Sequence, residues 1–421
     1  MDILMITHFC VLPWEKGNGR FAYIANELAA LGHDVENVTS SFSHDAKQQR
    51  SMRDAEAHCA ELPYKITLIS EPDYKKNVSL KRLSSHKKFA KNLSSYLKER
   101  AKPDVVYCAV PSLDVAKTAA DYCKNNGVRF VIDVQDLWPE AFKMVFNVPV
   151  LGNIMFSPME RKANKAYSAA DAVIAVSETY AARALRVNKK SKTASVVYLG
   201  TDKAYFDECA SAHAPVTEES VVNRIVAQLG GNADGDKKIR LVYIGTLGNS
   251  YDLPTVFDAL KRLDKSVLDN LEVIVMGDGP KRGEFEVAAA GLPVVFTGNL
   301  SYPDMVWILT RCDIALNPIV KGSAGSVINK HMDYAMAGLP VINTQESAEY
   351  RALLDRFACG VNCRCQNSDD VAKAICELVT NREKAAELGR NSRRMGEDLF
   401  DRKTAYKKIV DVICGDAEEK K

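Results

Sequence analysis

The chain alternates short apolar runs with helical patterns, and this alternation constrains its fold more than any other feature. Ile3 to Thr7 has a buried-strand pattern, and residues 16–20 form a glycine-rich loop. A helical pattern then runs from Phe21 to Leu31, and a new strand begins at Val35. Strands that alternate with helices form parallel sheets with helices on both faces. The sequence therefore predicts a doubly wound α/β fold.

The same pattern restarts near residue 240, after a segment at 207–238 that is rich in small and polar residues. A chain of 421 residues is long for a single core, which favours two domains. We therefore predict a Rossmann-like N-terminal domain over 1–203 and a second Rossmann-like domain over 204–395. A helix in 396–421 is expected to brace the first domain.

Composition excludes some classes of protein. The formal net charge of +2 argues against a nucleic-acid-binding protein, which is normally far more basic. No run of 18 apolar residues is present, so we expect no membrane span. The N-terminus carries an acid at Asp2 and leads directly into a strand, which predicts no targeting segment and a cytoplasmic location.

The eleven cysteines are scattered among apolar residues, as reduced buried thiols are. Cys359, Cys363 and Cys365 lie close together, but they lack the paired C-x-x-C spacing of a zinc site, and no histidine is near. We expect free thiols here and no metal.

Glycine-rich turns between strands and helices are candidate phosphate sites, because a helix N-terminus offers unpaired N–H groups and a positive dipole end. Such turns also simply reverse the chain, so one alone is weak evidence. The three turns contain Gly17, Gly19 and Arg20; Gly245, Thr246 and Gly248; and Gly322, Ser323 and Gly325. The first lacks the complete dinucleotide fingerprint, which disfavours a nicotinamide dehydrogenase. Together the turns indicate a bound diphosphate.

The segment 325–342 is the most specific in the chain. On a helix, Lys330 and Asp333 share one face. Lys330 near the helix start could bind phosphate, and Asp333 could accept hydrogen bonds from the two hydroxyls of a ribose. The alternative is a solvated ion pair between the two side chains.

Residues 329–342 read N-K-H-M-D-Y-A-M-A-G-L-P-V-I. This pattern resembles the donor-binding signature of retaining GT-B glycosyltransferases of family 4, in the branch that assembles capsule, O-antigen and exopolysaccharide. Residues 241–253, 277–280 and 133–140 resemble further segments of that branch, in the same order along the chain.

The resemblance implies a GT-B fold, in which two Rossmann-like domains face each other across a cleft. It implies transfer of a hexosyl or N-acetylhexosaminyl group from a nucleotide-sugar, UDP being favoured over GDP, with retention of configuration. The expected acceptor is a glycan or a lipid diphosphate-linked sugar in bacterial surface polysaccharide assembly. Neither a metal nor another cofactor is expected.

The resemblance also suggests roles for individual residues. Lys330 would stabilise the leaving diphosphate, Asp333 would hold the ribose, and Asp136 and Glu140 would act as acceptor base or sugar contact. For both carboxylates a structural role such as helix capping is an equal alternative. The other expected donor contacts are Gly17, Gly19, Arg20, Gly245, Thr246, Gly248, Gly277, Gly298, Gly322, Ser323, Gly325 and Asn329.

The sequence departs from the family pattern at three positions. Gly325 replaces a glutamate that contacts the sugar, Thr246 replaces an arginine, and Gln135 replaces a histidine. These changes leave two alternatives open: a sugar-nucleotide epimerase of the same fold, and a protein that binds a nucleotide-sugar without turning it over. Acceptor-dependent release of nucleotide separates transfer from both.

Residues 75–100 are strongly basic, and Leu83, Phe89, Leu93 and Leu97 recur at nearly helical spacing. A basic amphipathic helix can rest on anionic lipid, so a membrane surface is the partner expected for this segment. The location would then be peripheral, on the inner face of the cell membrane. A solvated helix face is the alternative.

Overall fold

A computed structural model describes residues 1–15, 19–77, 79–146, 149–212, 220–230, 238–323 and 326–415. Contacts divide the chain into two compact units. Met1–Tyr198 and Tyr406–Lys421 form one, here the N-terminal unit, and Leu199–Ala405 forms the other, the C-terminal unit. The units divide at residues 198 and 405, whereas the sequence-based domain limits lie at 203 and 395.

The N-terminal unit is built on a parallel sheet. Its strands are β1 (Asp2–Ile6), β2 (Asp34–Ser40), β3 (Phe42–Ser43), β4 (Gln48–Gln49), β5 (Lys65–Ile69), β6 (Val105–Val110), β7 (Arg129–Val134), β8 (Ala172–Ala175) and β9 (Ser195–Val196). The sheet order is β5-β2-β1-β6-β7-β8-β9, and β3 pairs with β4 as a separate antiparallel ribbon. β6 is buried along its whole length, which explains its continuous apolar run, because strands of a parallel sheet are covered on both faces.

Helices connect these strands. They are α1 (Arg20–Ala30), α2 (Met52–Cys59), α3 (Leu80–Glu99), α4 (Leu113–Asn126), α5 (Glu140–Phe146), α6 (Pro149–Ala169) and α7 (Glu178–Leu185). α4 ends at Gly127, whose φ of 60° is the left-handed conformation that glycine adopts without strain. α7 begins where the Ser177 side chain accepts a hydrogen bond from the backbone N–H of Tyr180.

The C-terminal unit repeats this architecture. Its strands are β10 (Ile239–Ile244), β11 (Leu271–Met276), β12 (Val294–Gly298), β13 (Ile314–Asn317), β14 (Val341–Asn343) and β15 (Gly360–Asn362). Its helices are α8 (Lys203–Ser211), α9 (Ser220–Gly230), α10 (Leu253–Leu260), α11 (Lys265–Leu268), α12 (Arg282–Ala288), α13 (Tyr302–Leu309), α14 (Asn329–Met336), α15 (Ala348–Phe357), α16 (Ser368–Thr380), α17 (Arg382–Met395) and α18 (Arg402–Ala405), with a π-helical turn at Gly396–Phe400.

Each sheet has one position where the strand order reverses direction. In the C-terminal unit the order is β12-β11-β10-β13-β14-β15, so chain order runs outward on both sides of the β10–β13 pair. In the N-terminal unit the same reversal lies between β1 and β6. Ligands of doubly wound sheets bind beyond the carboxyl ends of the strands at such a position. The predicted doubly wound fold is confirmed, and it gives each unit one expected binding edge.

The last described helix, α19 (Lys407–Cys414), belongs to the N-terminal unit. The Arg129 guanidinium donates hydrogen bonds to the backbone oxygens of Val412 and Ile413, each 2.7 Å long. The ring of Tyr406, just before α19, meets the ring of Tyr23 on α1 edge to face. The end of the described chain is thus held against α1 and β7.

The basic helix α3 uses its apolar face differently from the sequence-based expectation. Phe89, Leu93 and Leu97 are buried in the N-terminal unit, and Leu83 is half-buried, so this face is already covered by protein. The exposed lysines of the helix remain available to an anionic surface. Among the described residues, no helix combines the length and the apolar character needed to cross a bilayer.

Three glycine turns pack backbone to backbone at the carboxyl edge of the second sheet. Gly277 has a φ of 138°, and a Cβ atom there would lie 2.0 Å from the backbone oxygen of Gly245. The Gly277 N–H donates to the backbone oxygen of Gly298 at 2.9 Å. A Cβ at Gly279 would lie 2.4 Å from the backbone oxygen of Leu247. Close packing thus explains the glycines at 277 and 279 without a ligand.

We therefore predict that Gly277→Ala lowers the free energy of unfolding by about 2 kcal/mol or more, because backbone strain and overpacking add. Thermal unfolding of the full chain measures this. Gly283→Ala is the matched control, because no atom lies within 4 Å of a Cβ built on that helical glycine. Equal melting temperatures for the two variants would contradict this explanation.

Candidate functional site

Tyr334 of α14 links the two strands at the reversal point of the C-terminal unit. Its hydroxyl accepts a hydrogen bond from the backbone N–H of Ile244, at the end of β10, and donates one to the backbone oxygen of Leu316 in β13. Both bonds are close to 3 Å long and buried. They place the start of α14 beside the carboxyl ends of β10 and β13, where a ligand of this fold is expected.

Lys330, in the first turn of α14, holds its ammonium group in a pocket of two aromatic rings. Nζ lies 4.0 Å from the ring centre of Tyr243 and 4.0 Å from that of Tyr251. The group is buried and has no hydrogen-bond partner among the described residues. Burial holds the pKa of Lys330 well below its ordinary value. Two cation–π contacts stabilise the charge only partly, so the site favours an incoming anion.

Gly245 makes room for this ammonium. A Cβ atom at position 245 would lie 3.2 Å from Nζ of Lys330, and the φ of 130° also favours glycine. Gly245 thus has a structural role, which is to leave space for the Lys330 side chain. Its predicted contact with the donor stays a prediction. The ion pair between Lys330 and Asp333 that we considered as an alternative does not form in the part of the chain that the structure describes.

Asp333, one turn further along α14, lies in a hydrogen-bonded chain. The Tyr302 hydroxyl donates to Oδ1 of Asp333 at 3.0 Å, and the Thr201 hydroxyl lies 2.9 Å from the Tyr302 oxygen. No described group bonds Oδ2. Burial raises the pKa of Asp333 to about 7, against the lowering effects of the Tyr302 hydrogen bond and the positive charge of Arg402. The carboxyl group is therefore poised between two protonation states near neutral pH.

The remaining predicted donor contacts of this unit are distributed along the same edge. Thr246 is exposed, and its backbone oxygen accepts a hydrogen bond from the Tyr243 hydroxyl at 2.8 Å. The N–H of Gly322 donates to a carboxylate oxygen of Glu346 at 3.1 Å, in the place where we predicted a phosphate. Asn329 is exposed at the first residue of α14. Gly248 lies in the β10–α10 connection, Gly298 at the end of β12, and Ser323 beside Gly322.

Two of the predicted donor contacts, Gly17 and Gly325, lie outside the described residues. Gly19 immediately precedes α1, and its backbone oxygen accepts the hydrogen bond of Tyr23 N–H. The Arg20 side chain points into the N-terminal unit, where it forms an ion pair with the buried Asp133 at 3.0 Å and stacks on the Tyr406 ring. This geometry gives Arg20 a structural role, and a direct contact with the donor stays a prediction.

Asp136 and Glu140 are both engaged within the N-terminal unit. Oδ2 of Asp136 accepts a hydrogen bond from the indole N–H of Trp138 at 2.9 Å, and burial raises the pKa of this carboxyl group. Glu140, at the start of α5, forms an ion pair with the buried Arg183. The second oxygen of Glu140 has no described hydrogen-bond partner. Their expected roles as acceptor base or sugar contact stay predictions.

A cluster that the sequence analysis did not anticipate lies at the carboxyl edge of the first sheet. His8, after β1, contacts Glu71 with Nε2 and Oε2 2.7 Å apart, and the hydroxyls of Ser40 and Ser85 also donate to Glu71. Burial raises the pKa of Glu71, but the His8 charge and these hydrogen bonds outweigh it, so the pKa is lowered in total. No pattern in the sequence connects these residues, because they come from four separate segments of the chain.

His8, Glu71 and His86 could in principle be metal ligands, since their ligand-type atoms lie within 4.8 Å of one another. However, Nε of Arg82 lies 3.4 Å from Nε2 of His86, and a guanidinium at that distance repels a divalent cation. Nε2 of His8 and Oε2 of Glu71 already bind each other. We therefore interpret the group as a hydrogen-bonded network.

The cysteine cluster also behaves as separate thiols. Cys359, Cys363 and Cys365 are free, and burial raises the pKa of each. Each thiol lies against a different backbone oxygen, those of Leu354, Asp370 and Ile319, respectively.

Two Rossmann-like units of this kind have the GT-B fold, and comparison with solved structures agrees. The structure of Anabaena Alr3699/HepE in complex with UDP aligns with a TM-score of 0.67 and 15% identity, over 99% of this chain and 100% of that one. At this identity the likeness shows the fold.

Both halves of the sequence match glycosyltransferase family models. Residues 20–205 match Glycosyltransferase Family 4, and residues 230–395 match Glycosyl transferases group 1. A GDP-mannose-dependent alpha-(1-6)-phosphatidylinositol dimannoside mannosyltransferase of Mycobacterium tuberculosis is 27% identical over 43% of this chain and 48% of its own length. A 2-deoxystreptamine glucosyltransferase of Streptomyces kanamyceticus is 26% identical over 50% of each. The chain thus spans about half the length of these relatives, and the comparisons support a GT-B protein of the glycosyltransferase type.

The raised pKa of Asp333 predicts a pH-dependent stability. The folded protein retains this proton up to about pH 7, whereas the unfolded chain loses it near the ordinary aspartate pKa of 3.8. Between these values the folded state binds more protons, so its stability falls as pH rises. Asn does not titrate, so the stability of Asp333→Asn should not fall in this way. The variant should become progressively more stable than wild type from about pH 4 to 7.

Melting temperatures of the two proteins across this range test the prediction, without any ligand. Asp269→Asn, which removes an exposed carboxylate from the same unit, controls for the loss of one negative charge. A constant difference between wild type and Asp333→Asn at every pH would contradict a raised pKa.

Proposed function

We propose that this chain is a glycosyltransferase that binds a nucleotide-sugar at the β10–β13 edge and transfers the sugar to a glycan or lipid diphosphate-linked acceptor. The observation that carries the proposal is the buried Lys330 ammonium, which has two aromatic rings as neighbours and no described anionic partner. Such a group is costly for the free protein and is explained by a ligand that brings negative charge.

The leaving diphosphate is the anion that this site fits. Cleavage of the bond between sugar and diphosphate increases negative charge on the diphosphate oxygens. A positive charge already held in place in a site of low dielectric stabilises that change without reorganisation. Lys330 meets this description because burial strips its ammonium of water and the tyrosine rings fix its position.

Asp333 supplies the second contact, to the ribose. Tyr302 occupies one oxygen of the carboxyl group, and the other oxygen has no described partner. In its ionised form Asp333 accepts hydrogen bonds from neighbouring hydroxyls, and its pKa near 7 allows ionisation when the nucleotide arrives. Lys330 and Asp333 lie three residues apart on α14 and share a helix face, which suits a ligand that carries both a diphosphate and a ribose.

The finer assignments extend the proposal. We propose UDP as the first nucleotide to test; the fold neighbour was solved with UDP, and the Mycobacterium relative is GDP-mannose-dependent. Retention of configuration and bacterial surface polysaccharide as the product rest on the resemblance of residues 329–342. No metal is needed in this scheme, because Lys330 supplies the positive charge.

Thermal shifts with UDP, GDP, their common sugar conjugates and NAD test the donor site. A ligand at a hundred times its dissociation constant adds about 2.7 kcal/mol of stability, which raises the melting temperature by several degrees. We expect stabilisation by one nucleotide family and its loss in Lys330→Ala and Asp333→Ala. Lys265→Ala, which removes an exposed lysine of the same unit, should retain it.

Nucleotide release from the stabilising sugar conjugate then distinguishes the classes of activity. A transferase releases nucleotide only when an acceptor is added, an epimerase changes the donor without one, and a binding protein does neither. Stabilisation by NAD alone, or by no ligand, would contradict the proposal.

A further inference from the structure

The N-terminal unit contains an apolar cavity between α3, α5 and α6 that the donor chemistry does not use. Its volume is about 320 Å³, in the range of small-molecule sites. Leu80 and Met155 lie at this cavity and expose 84% and 55% of their surface. Further in, its walls are formed by Leu83, Trp138, Phe142, Phe156 and Met159. Exposed apolar side chains around an apolar cavity favour a hydrocarbon ligand.

Arg82 is the charged group of this cavity. It is only 9% exposed, and its guanidinium stacks 4.8 Å from the ring centre of Trp138. It donates to the backbone oxygen of Asn77 at 2.7 Å and lies 3.4 Å from Nε2 of His86. None of the described carboxylates lies within ion-pair distance of it. The Tyr74 hydroxyl also interacts with it, and the charges of Asp136 and Glu71 act on it from beyond that distance. A nearly buried guanidinium with no carboxylate in direct contact favours an anionic group such as phosphate.

The N-terminal unit has a second, more polar cavity. It has a volume of about 420 Å³, and its lining includes Phe9, Ser43, His44, Asp45 and Gln48. A carboxylate, an amide and a hydroxyl beside an aromatic ring are groups that bind sugars.

Arg82 of the apolar cavity and Phe9 of the polar cavity are close to each other. The Arg82 guanidinium lies 5.4 Å from the Phe9 ring centre, and the Phe9 ring lies 6.3 Å from that of Trp138. The order along the surface is therefore apolar cavity, guanidinium, polar cavity. A lipid diphosphate-linked sugar has the same order: hydrocarbon, diphosphate, sugar.

We propose that the N-terminal unit binds a lipid diphosphate-linked sugar with the first part of its hydrocarbon chain in the apolar cavity and its diphosphate on Arg82. The sugar then faces the Phe9 cavity. This inference rests on the proposed function, since it names where the acceptor of the transfer binds. The exposed Lys75, Lys76 and Lys81 near the cavity add positive charge that complements such an acceptor and the anionic membrane around it.

Calorimetric titration of the full chain with farnesyl diphosphate tests this site without any turnover. Farnesol and inorganic diphosphate are the matched partial ligands, one without the charge and the other without the chain. Arg82→Gln should weaken farnesyl diphosphate about tenfold, the loss of one charge-assisted hydrogen bond, and leave farnesol unchanged. Met159→Trp should weaken both by filling the cavity. Leu31→Ser, an exposed apolar residue of the same unit, should change neither.

Three results would overturn the proposal: no saturable binding of farnesyl diphosphate, equal affinity for farnesyl and inorganic diphosphate, or equal affinities in all variants. Binding of the full chain and of the two cavity variants to phosphatidylglycerol vesicles is measured as well. If wild type binds the vesicles, both cavity variants do not, and farnesyl diphosphate does not bind, the cavity is assigned to membrane lipid instead.

Stabilisation by the nucleotide-sugar is measured on the same proteins. If the nucleotide-sugar does not stabilise the protein but farnesyl diphosphate binds, the proposed function fails and the lipid site stands. If the nucleotide-sugar stabilises the protein but farnesyl diphosphate does not bind, the proposed function stands and the lipid site fails.

Discussion

The contact between the Lys330 ammonium and the rings of Tyr243 and Tyr251 is the interaction on which the account depends. A buried lysine with no acidic partner among the described residues destabilises a folded protein unless its charge is used. Two neighbouring features help to keep this group in place. Tyr334 sets the start of α14 against two strand ends, and Gly245 leaves the space that Nζ occupies.

This position follows from the topology. The carboxyl ends of parallel strands diverge where the chain order reverses, so a helix that begins there presents its first turn to an open edge. In the C-terminal unit that helix is α14, and it carries both Lys330 and Asp333. In the N-terminal unit the loops at the corresponding edge carry His8, Phe9 and Asp136, which contribute to a histidine- and aromatic-rich cluster. One fold, used twice, thus offers two edges of different chemistry.

Much of this was accessible from the sequence. Apolar runs such as 105–110 and 271–276 predict buried parallel strands, and the spacing of Lys330 and Asp333 predicts a shared helix face; the structure confirms these strands and the helix. The helical spacing of Leu83, Phe89, Leu93 and Leu97 is also confirmed by the helix Leu80–Glu99, but this apolar stripe packs against protein. Helical periodicity identifies the apolar face of a helix, but it does not show whether protein or lipid covers that face.

Other parts depend on tertiary contacts that no local pattern encodes. The tyrosine pair at Lys330 joins a strand residue to a loop residue, and Arg82 meets Trp138 across more than fifty positions of sequence. Gly277 was predicted to contact the donor, and close backbone packing alone already requires glycine there and at Gly279. A glycine in the sequence shows that space is needed, and only the fold shows whether backbone, side chain or ligand fills it.

The most direct measurement is the affinity of uridine, UMP and UDP for wild type and for Lys330→Met, which keeps the apolar stem and removes the charge. We predict a large gain in affinity from UMP to UDP in wild type and its loss in the variant, with the affinity for uridine unchanged. Without ligand, the variant should be more stable by about 1 kcal/mol or more, because a buried unpaired charge has been replaced by an apolar side chain. A variant that gains as much as wild type from the second phosphate would contradict the account.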